Sequence, residues 1–232
     1  GYHGPTREAL TAAGVDPGRV ARVWDFVTRS QEAALAPVRA MREAAISAVD
    51  EAEVVIDQVE VAPKPGAAMI VQGRLTGLPN FIDDDPARKG AWVVGDDGMP
   101  VVLGTRDAPF RVLVPEGTED YRVVMFGHGM GGNFRDGTFD EELGGAGVGK
   151  LGIQFYGWGE DTLDTLGGIV EPAAGVDGAV TGLMQAFADG GAIQVALEGK
   201  IADALAAETL GGVTNPAEGR RPDMSIRSWA GG

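Results

Sequence analysis

The stretch Tyr121–Gly132, YRVVMFGHGMGG, changes character halfway along, and its reading decides the fold. Tyr121 to Phe126 is short and almost wholly apolar, the pattern of a strand buried in a parallel sheet. It runs directly into Gly127-His128-Gly129-Met130-Gly131-Gly132. Glycines let a chain turn sharply and approach a ligand closely. A strand ending in such a cluster brings main-chain N–H groups to the carboxyl edge of the sheet, where open α/β folds bind ligands. An N–H held there can donate to a developing oxyanion. The same letters also suit a tight turn with His128 capping it. A phosphate cradle fits poorly, because no Walker lysine is present and GxGxxG is matched by letters only.

Downstream, Leu151 to Tyr156 (LGIQFY) predicts a second buried strand, ending at Gly157-Trp158-Gly159. Helical stretches follow over 176–187 and 192–210, then an apolar-leaning strand over Asp223 to Trp229 that enters Ala230-Gly231-Gly232. Strands, glycine turns and helices in alternation predict a mostly parallel α/β sheet. Upstream the pattern is different. Residues 5–53 read as helices, with Val20, Val23, Trp24 and Val27 on one stripe and Leu35, Val38, Met41, Ala45 and Val49 on another. Pro37 marks a place where a second helix could begin. From Val54 the period becomes two, Pro63-Lys64-Pro65-Gly66 ends that strand, and further strands are expected over 67–75, 91–94, 100–103 and 110–114. A hairpin turn is expected near Asp96-Asp97-Gly98. The expected organisation is a helical segment over 1–53, a β-rich region over 54–118 and half of an α/β domain over 119–232.

Composition narrows the function. The chain has 232 residues, 34 acidic against 19 basic side chains and a formal charge of −15, which repels a phosphate backbone and argues against nucleic-acid binding. It has no cysteine, which removes disulfides, thiolate metal sites and a cysteine nucleophile. Its two histidines, His3 and His128, are too few for a multi-histidine metal centre. No cofactor or metal is expected. Asp83-Asp84-Asp85 lacks the alternate spacing of a calcium loop and reads as a solvated turn. No run nears the ~20 apolar residues of a membrane-spanning helix. Acidity without cysteine points to a secreted or periplasmic location.

VVMFGHGMGG resembles the oxyanion-loop signature of α/β-hydrolase lipases and esterases, His-Gly-x-x-Gly after the third strand. Trp24–Phe26, IQFYGWGED and LMQAF at 183–187 extend the likeness to a bacterial group of that superfamily with a helical and β-rich preface. The resemblance implies an α/β-hydrolase fold and hydrolysis of an ester or amide through an acyl-enzyme. It assigns an oxyanion N–H to Met130, with His128 and Gly129 forming the loop. Trp158 would be a substrate wall or packing, and Leu163, Leu166, Ile169, Val170, Val180, Met184 and Phe187 an acyl pocket or plain core. Such enzymes need a serine in G-x-S-x-G, followed by an acid and a histidine. None of the four serines, at 30, 47, 225 and 228, has glycine on both sides at that spacing. Gly231 and Gly232 instead fit the start of the nucleophile elbow, which places the serine at the next residue. The chain is then expected to be incomplete without a second fragment that starts with that serine and carries the acid and histidine. Autoproteolysis, another protease or an arbitrary boundary would each produce that end. The expected partners are this fragment and a small-molecule or polymer ester or amide.

Overall fold

The computed structural model describes residues 4–20, 30–83, 93–156, 158–160, 176–224 and 229–231. The stripe Val23, Trp24 and Val27, the acids Asp84 and Asp85, residues 91–92 and the apolar run 163–170 lie outside them. Two compact units are present, Gly1–Leu35 and Ala36–Gly232. The first holds helix α1 (Gly4–Ala12) and a short 3₁₀ turn, Pro17–Arg19. Helix α1 closes through Val15 N–H to the Leu10 carbonyl and Gly14 N–H to the Thr11 carbonyl, with Gly14 at φ 74° as the left-handed cap.

Helix α2 (Gln31–Ser47) starts at Ser30, whose hydroxyl caps the Ala33 N–H at 3.1 Å. Pro37 does not begin this helix; it lies inside it. Met41 and Ala45, from the expected stripe, are fully buried in the second unit.

The second unit is built on one mixed sheet. Its strands are β1 (Val54–Val61), β2 (Ala67–Asn80), β3 (Gly104–Pro115), β4 (Tyr121–Gly127), β5 (Val148–Ile153), β8 (Pro222–Asp223) and β9 (Trp229–Gly231). A separate two-residue hairpin, β6 (Thr209–Leu210) and β7 (Val213–Thr214), turns through Gly211 and Gly212. The sheet order is β1-β2-β3-β5-β4-β8, with β9 also on β4. β1, β2 and β3 pair antiparallel, β3 is antiparallel to β5, and β5, β8 and β9 all run parallel to β4. The region 54–118 and the half 119–232 therefore share one sheet, joined through β3 and β5. Val94 and Pro100 form an isolated bridge around the expected turn, while 101–103 are not in a strand.

Alternation along the strands sorts the two faces. Phe110, Val112, Val114, Val123, Met125, Leu151 and Ile153 build the main core with helix α4 (Val176–Glu198), helix α5 (Lys200–Leu205) and α2. Ala67, Ile70 and Leu113 face the other way and pack with Leu143 of helix α3 (Asp140–Gly145). Helices thus flank both faces, as the α/β reading expects. The helical break expected between 187 and 192 is absent. Gly190 and Gly191 stay within α4, and a Cβ on Gly191 would lie 3.0 Å from Arg42, so the glycine admits α2 at close range.

Candidate active site

Strand β4 delivers its end to a crowded edge. A Cβ on Gly127 would fall 1.8 Å from the Phe155 ring, so only glycine fits there. His128 follows, almost completely buried. Its Nε2 accepts the Phe155 N–H at 3.0 Å, and its Nδ1 lies 2.8 Å from the Gly129 carbonyl. An imidazole nitrogen that accepts from an N–H carries no proton, so hydrogen bonding assigns the neutral tautomer with hydrogen on Nδ1. Both ring nitrogens are engaged with main chain. His128 fastens the loop to the segment that follows β5 and has no nitrogen left to act as a base.

Residues 129–132 form a tight turn closed by Gly132 N–H to the Gly129 carbonyl at 3.0 Å. Gly131 sits at φ 79°, the value a type II turn requires at its third residue. The turn is tied to the segment after β5: Gly131 N–H donates to the Trp158 carbonyl at 2.9 Å, and Glu160 N–H donates to the Gly132 carbonyl at 2.9 Å. Among the described residues, the N–H groups of Gly129 and Met130 have no acceptor. The Met130 side chain is 62% exposed, and a Cβ on Gly129 would meet nothing within 4 Å. The turn thus stands at the carboxyl edge of the sheet, where open α/β folds bind ligands.

Strand β9 brings a second chain segment to this edge, because Gly231 pairs with Gly127 in the parallel ladder. His128, Gly129, Met130 and Gly231 are thus gathered together, with Trp158 beside Gly131. Gly157 and Gly232 lie outside the described residues. Phe187, expected on an acyl wall, is half exposed with its ring 6.1 Å from Phe155; Met184 packs into the core and Val180 is exposed. No group of three or more His, Asp or Glu among the described residues is placed to hold a metal. No described helix is long and apolar enough to cross a membrane.

The segment that continues the loop ends in an ionic cluster that motif reading does not find. Asp140 accepts a two-pronged bond from Arg111, at 2.6 and 3.2 Å, and contacts Lys150 Nζ at 2.8 Å and Lys64 Nζ at 3.0 Å. Lys150 is fully buried and also donates to the carbonyls of Asp136 and Thr138, at 2.8 and 2.6 Å. Burial would raise the Asp140 carboxyl, but the bonds from Arg111, Lys150 and Lys64 outweigh it and hold it below the ordinary value. Burial pulls the Lys150 ammonium below its own ordinary value, against the pull of Asp140. The cluster pins the segment 133–140, which continues the glycine loop, to β3 and β5. Its sequence signal is a charge inside an apolar strand: Arg111 in FRVLV and Lys150 in VGKLGI.

No protein-family model matches the chain, and no curated protein matches it. Among solved structures it is similar to an acetyl xylan esterase from Paenibacillus sp. R4, at 15% identity and a TM-score of 0.26 over 58% of this chain and 34% of that one. It is also similar to a CE15 glucuronoyl esterase from Teredinibacter turnerae T7901, at 13% identity and a TM-score of 0.29 over 94% of this chain and 58% of that one. The chain spans about a third of the first and somewhat over half of the second. These likenesses are too slight to decide fold or chemistry, which rest on the chain's own geometry.

Proposed function

We propose that this chain carries the oxyanion loop of a serine hydrolase of α/β-hydrolase type, cleaving an ester or amide through an acyl-enzyme. The observation that supports the reading is the pairing of β9 beside β4, with Gly231 opposite Gly127 at the mouth of the glycine loop. In enzymes of this type the nucleophile sits on a sharp turn after a strand, and one oxyanion donor comes from the loop after the third strand. Counted from β2, the glycine loop follows the third strand and β9 belongs to the fifth position, directly alongside. The antiparallel second strand, β3, agrees with the same layout.

In this reading a serine directly after Gly232 attacks the substrate carbonyl. The charge that develops on oxygen is received by the Met130 N–H and by the N–H of the residue after the serine. The carbonyl lies in the open space before Gly129, with Trp158 at its side. His128 keeps the loop in shape, and the acid and the histidine base come from elsewhere in the protein. Removing one such donor typically costs about 10²–10³ in rate. Because the donor is main chain, Met130→Ala retains most activity.

The test is a fluorophosphonate probe on the full-length protein, with the labelled residue mapped by mass spectrometry. Label on a serine that follows Gly232, lost on its replacement by alanine, is the expected result. Label on a different residue overturns the assignment of the nucleophile, and a folded protein that takes no label overturns the reading and leaves a non-catalytic protein on the same scaffold.

A further inference from the structure

Helix α4 carries a second buried charge that the chemistry above does not use. Asp189 is 2% exposed. One of its oxygens, Oδ1, accepts from Gln185 Nε2 at 2.8 Å. Gln185 is fully buried and cannot yield, because its Oε1 accepts the Phe81 N–H at 2.8 Å and its Nε2 also donates to the Pro79 carbonyl at 3.0 Å. Among the described residues the other oxygen, Oδ2, has no hydrogen-bond partner, and it lies 3.8 Å from Arg106 Nε on β3. Arg106 Nε and Nη1 are likewise buried without a hydrogen-bond partner. The guanidinium instead lies over the Tyr156 ring, its Cζ 3.8 Å from the ring centre. Charge attraction alone joins Arg106 to Asp189, and a purely coulombic contact disappears when the carboxylate takes a proton.

Tyr156 occupies a sensitive place. Phe155 before it donates its N–H to His128 Nε2, and the Trp158 carbonyl after it accepts from Gly131. These are two of the ties that shape the glycine loop. We infer that Arg106 and Asp189 form a positioning pair that holds Tyr156 and its neighbours Phe155 and Trp158, and through them the glycine loop, and that protonation of Asp189 releases them. The inference builds on the site reading above but concerns the loop's geometry. Arg106 is the charged group facing Asp189 among the described residues; Arg42 of α2 lies one step along α4, against Gly191.

The direction of the switch follows from burial. Burial pushes the Asp189 carboxyl up to about 6, with Arg106 and Gln185 opposing it. Above that pH the carboxylate is charged and Arg106 is held on Tyr156. Below it, Arg106 is a buried cation without a counter-charge and turns toward solvent, to which its side chain is already 16% exposed.

Hydrogen exchange on the full-length protein, followed by mass spectrometry between about pH 7.5 and about pH 4.5 and corrected for intrinsic rates, tests this without reference to turnover. Protection of peptides covering 154–160 is expected to fall several-fold on the acid side in wild type, while the 190–198 part of α4 stays protected. Asp189→Asn, which keeps an acceptor for Gln185, is expected to show the released pattern at both pH values. Arg106→Met is expected to do the same, and Arg106→Lys to restore part of the pH step. The inference is overturned if Asp189→Asn matches wild type at pH 7.5, or if the acid step survives in it. Labelling by fluorophosphonate, measured in parallel, reports separately on the serine-hydrolase reading.

Discussion

Asp140→Asn offers the most direct measure of what holds the segment after the glycine loop in place. The substitution keeps the shape and one acceptor oxygen but removes the carboxylate that pairs directly with Arg111, Lys150 and Lys64, leaving Lys150 only the weaker attraction of Asp136. Lys64 is about a third exposed and can swing into water; Lys150, fully buried, and Arg111, nearly so, cannot. Breaking a buried pair by removing one partner costs about 3–5 kcal/mol, because it leaves an uncompensated charge. That is a large share of the roughly 5–15 kcal/mol by which a folded domain is stable. In a unit of this size the same loss lowers Tm by about 6–20 °C. Urea unfolding of wild type, Asp140→Asn, Lys150→Met and the double variant measures it. The double variant should lose less than the sum of the singles, since it no longer buries the stranded ammonium. A pH series adds a sign. The folded-state carboxyl is depressed, so its stabilisation is complete above the unfolded value of about 3.9 and is lost as pH falls through the folded one. Wild type should therefore lose stability below about pH 4 along a limb that is reduced in Asp140→Asn, where Asp136 still contributes its own. An Asp140→Asn protein within about 1 kcal/mol of wild type, or strictly additive doubles, would refute the account.

Three further outcomes are expected. Gly127→Ala drives a Cβ into the Phe155 ring and should destabilise the protein by about 1–3 kcal/mol, whereas Gly129→Ala, with open space around its Cβ, should stay within about 0.5 kcal/mol; chemical denaturation compares them. Nitrogen-15 NMR of His128 should show a neutral ring with hydrogen on Nδ1, and hydrogen on Nε2 would contradict the bond from Phe155. Gln185→Ala strands the buried Phe81 N–H and should cost about 1–3 kcal/mol by thermal melting, while Gln185→Glu keeps the acceptor but sets a second carboxylate beside Asp189 and should be worse at neutral pH than in mild acid.

Local chemistry made several elements legible. The run at 121–126 is a strand because its apolar residues are buried or half-buried while its one charge, Arg122, stays exposed, and the glycines after it form a turn because Gly131 adopts a φ that side chains resist. Charge, lack of cysteine and scarcity of histidine are facts of composition and needed no coordinates. Other elements misled. Asp189-Gly190-Gly191 reads as a helix break, since each glycine costs about 1 kcal/mol in a helix, yet packing of α2 against α4 overrides that local preference. The strands at 67–75 and 110–114 extend to Asn80 and Gly104 because they pair with each other over their whole length, which no single segment announces.

Sequence by itself determined the short-range matters: which segments are strand-like and where the chain must turn. Only the tertiary structure decided which distant segments meet. Gly231 lies opposite Gly127 by parallel pairing across a hundred residues, Asp140 finds its three cations on β3, β5 and the turn between β1 and β2, and Arg106 reaches Asp189 from β3 to α4. Periodicity and propensity are set by neighbours within a few residues. Parallel pairing and buried charge are set by what the folded chain brings alongside, where a low dielectric makes each unpaired charge costly enough to select its partner.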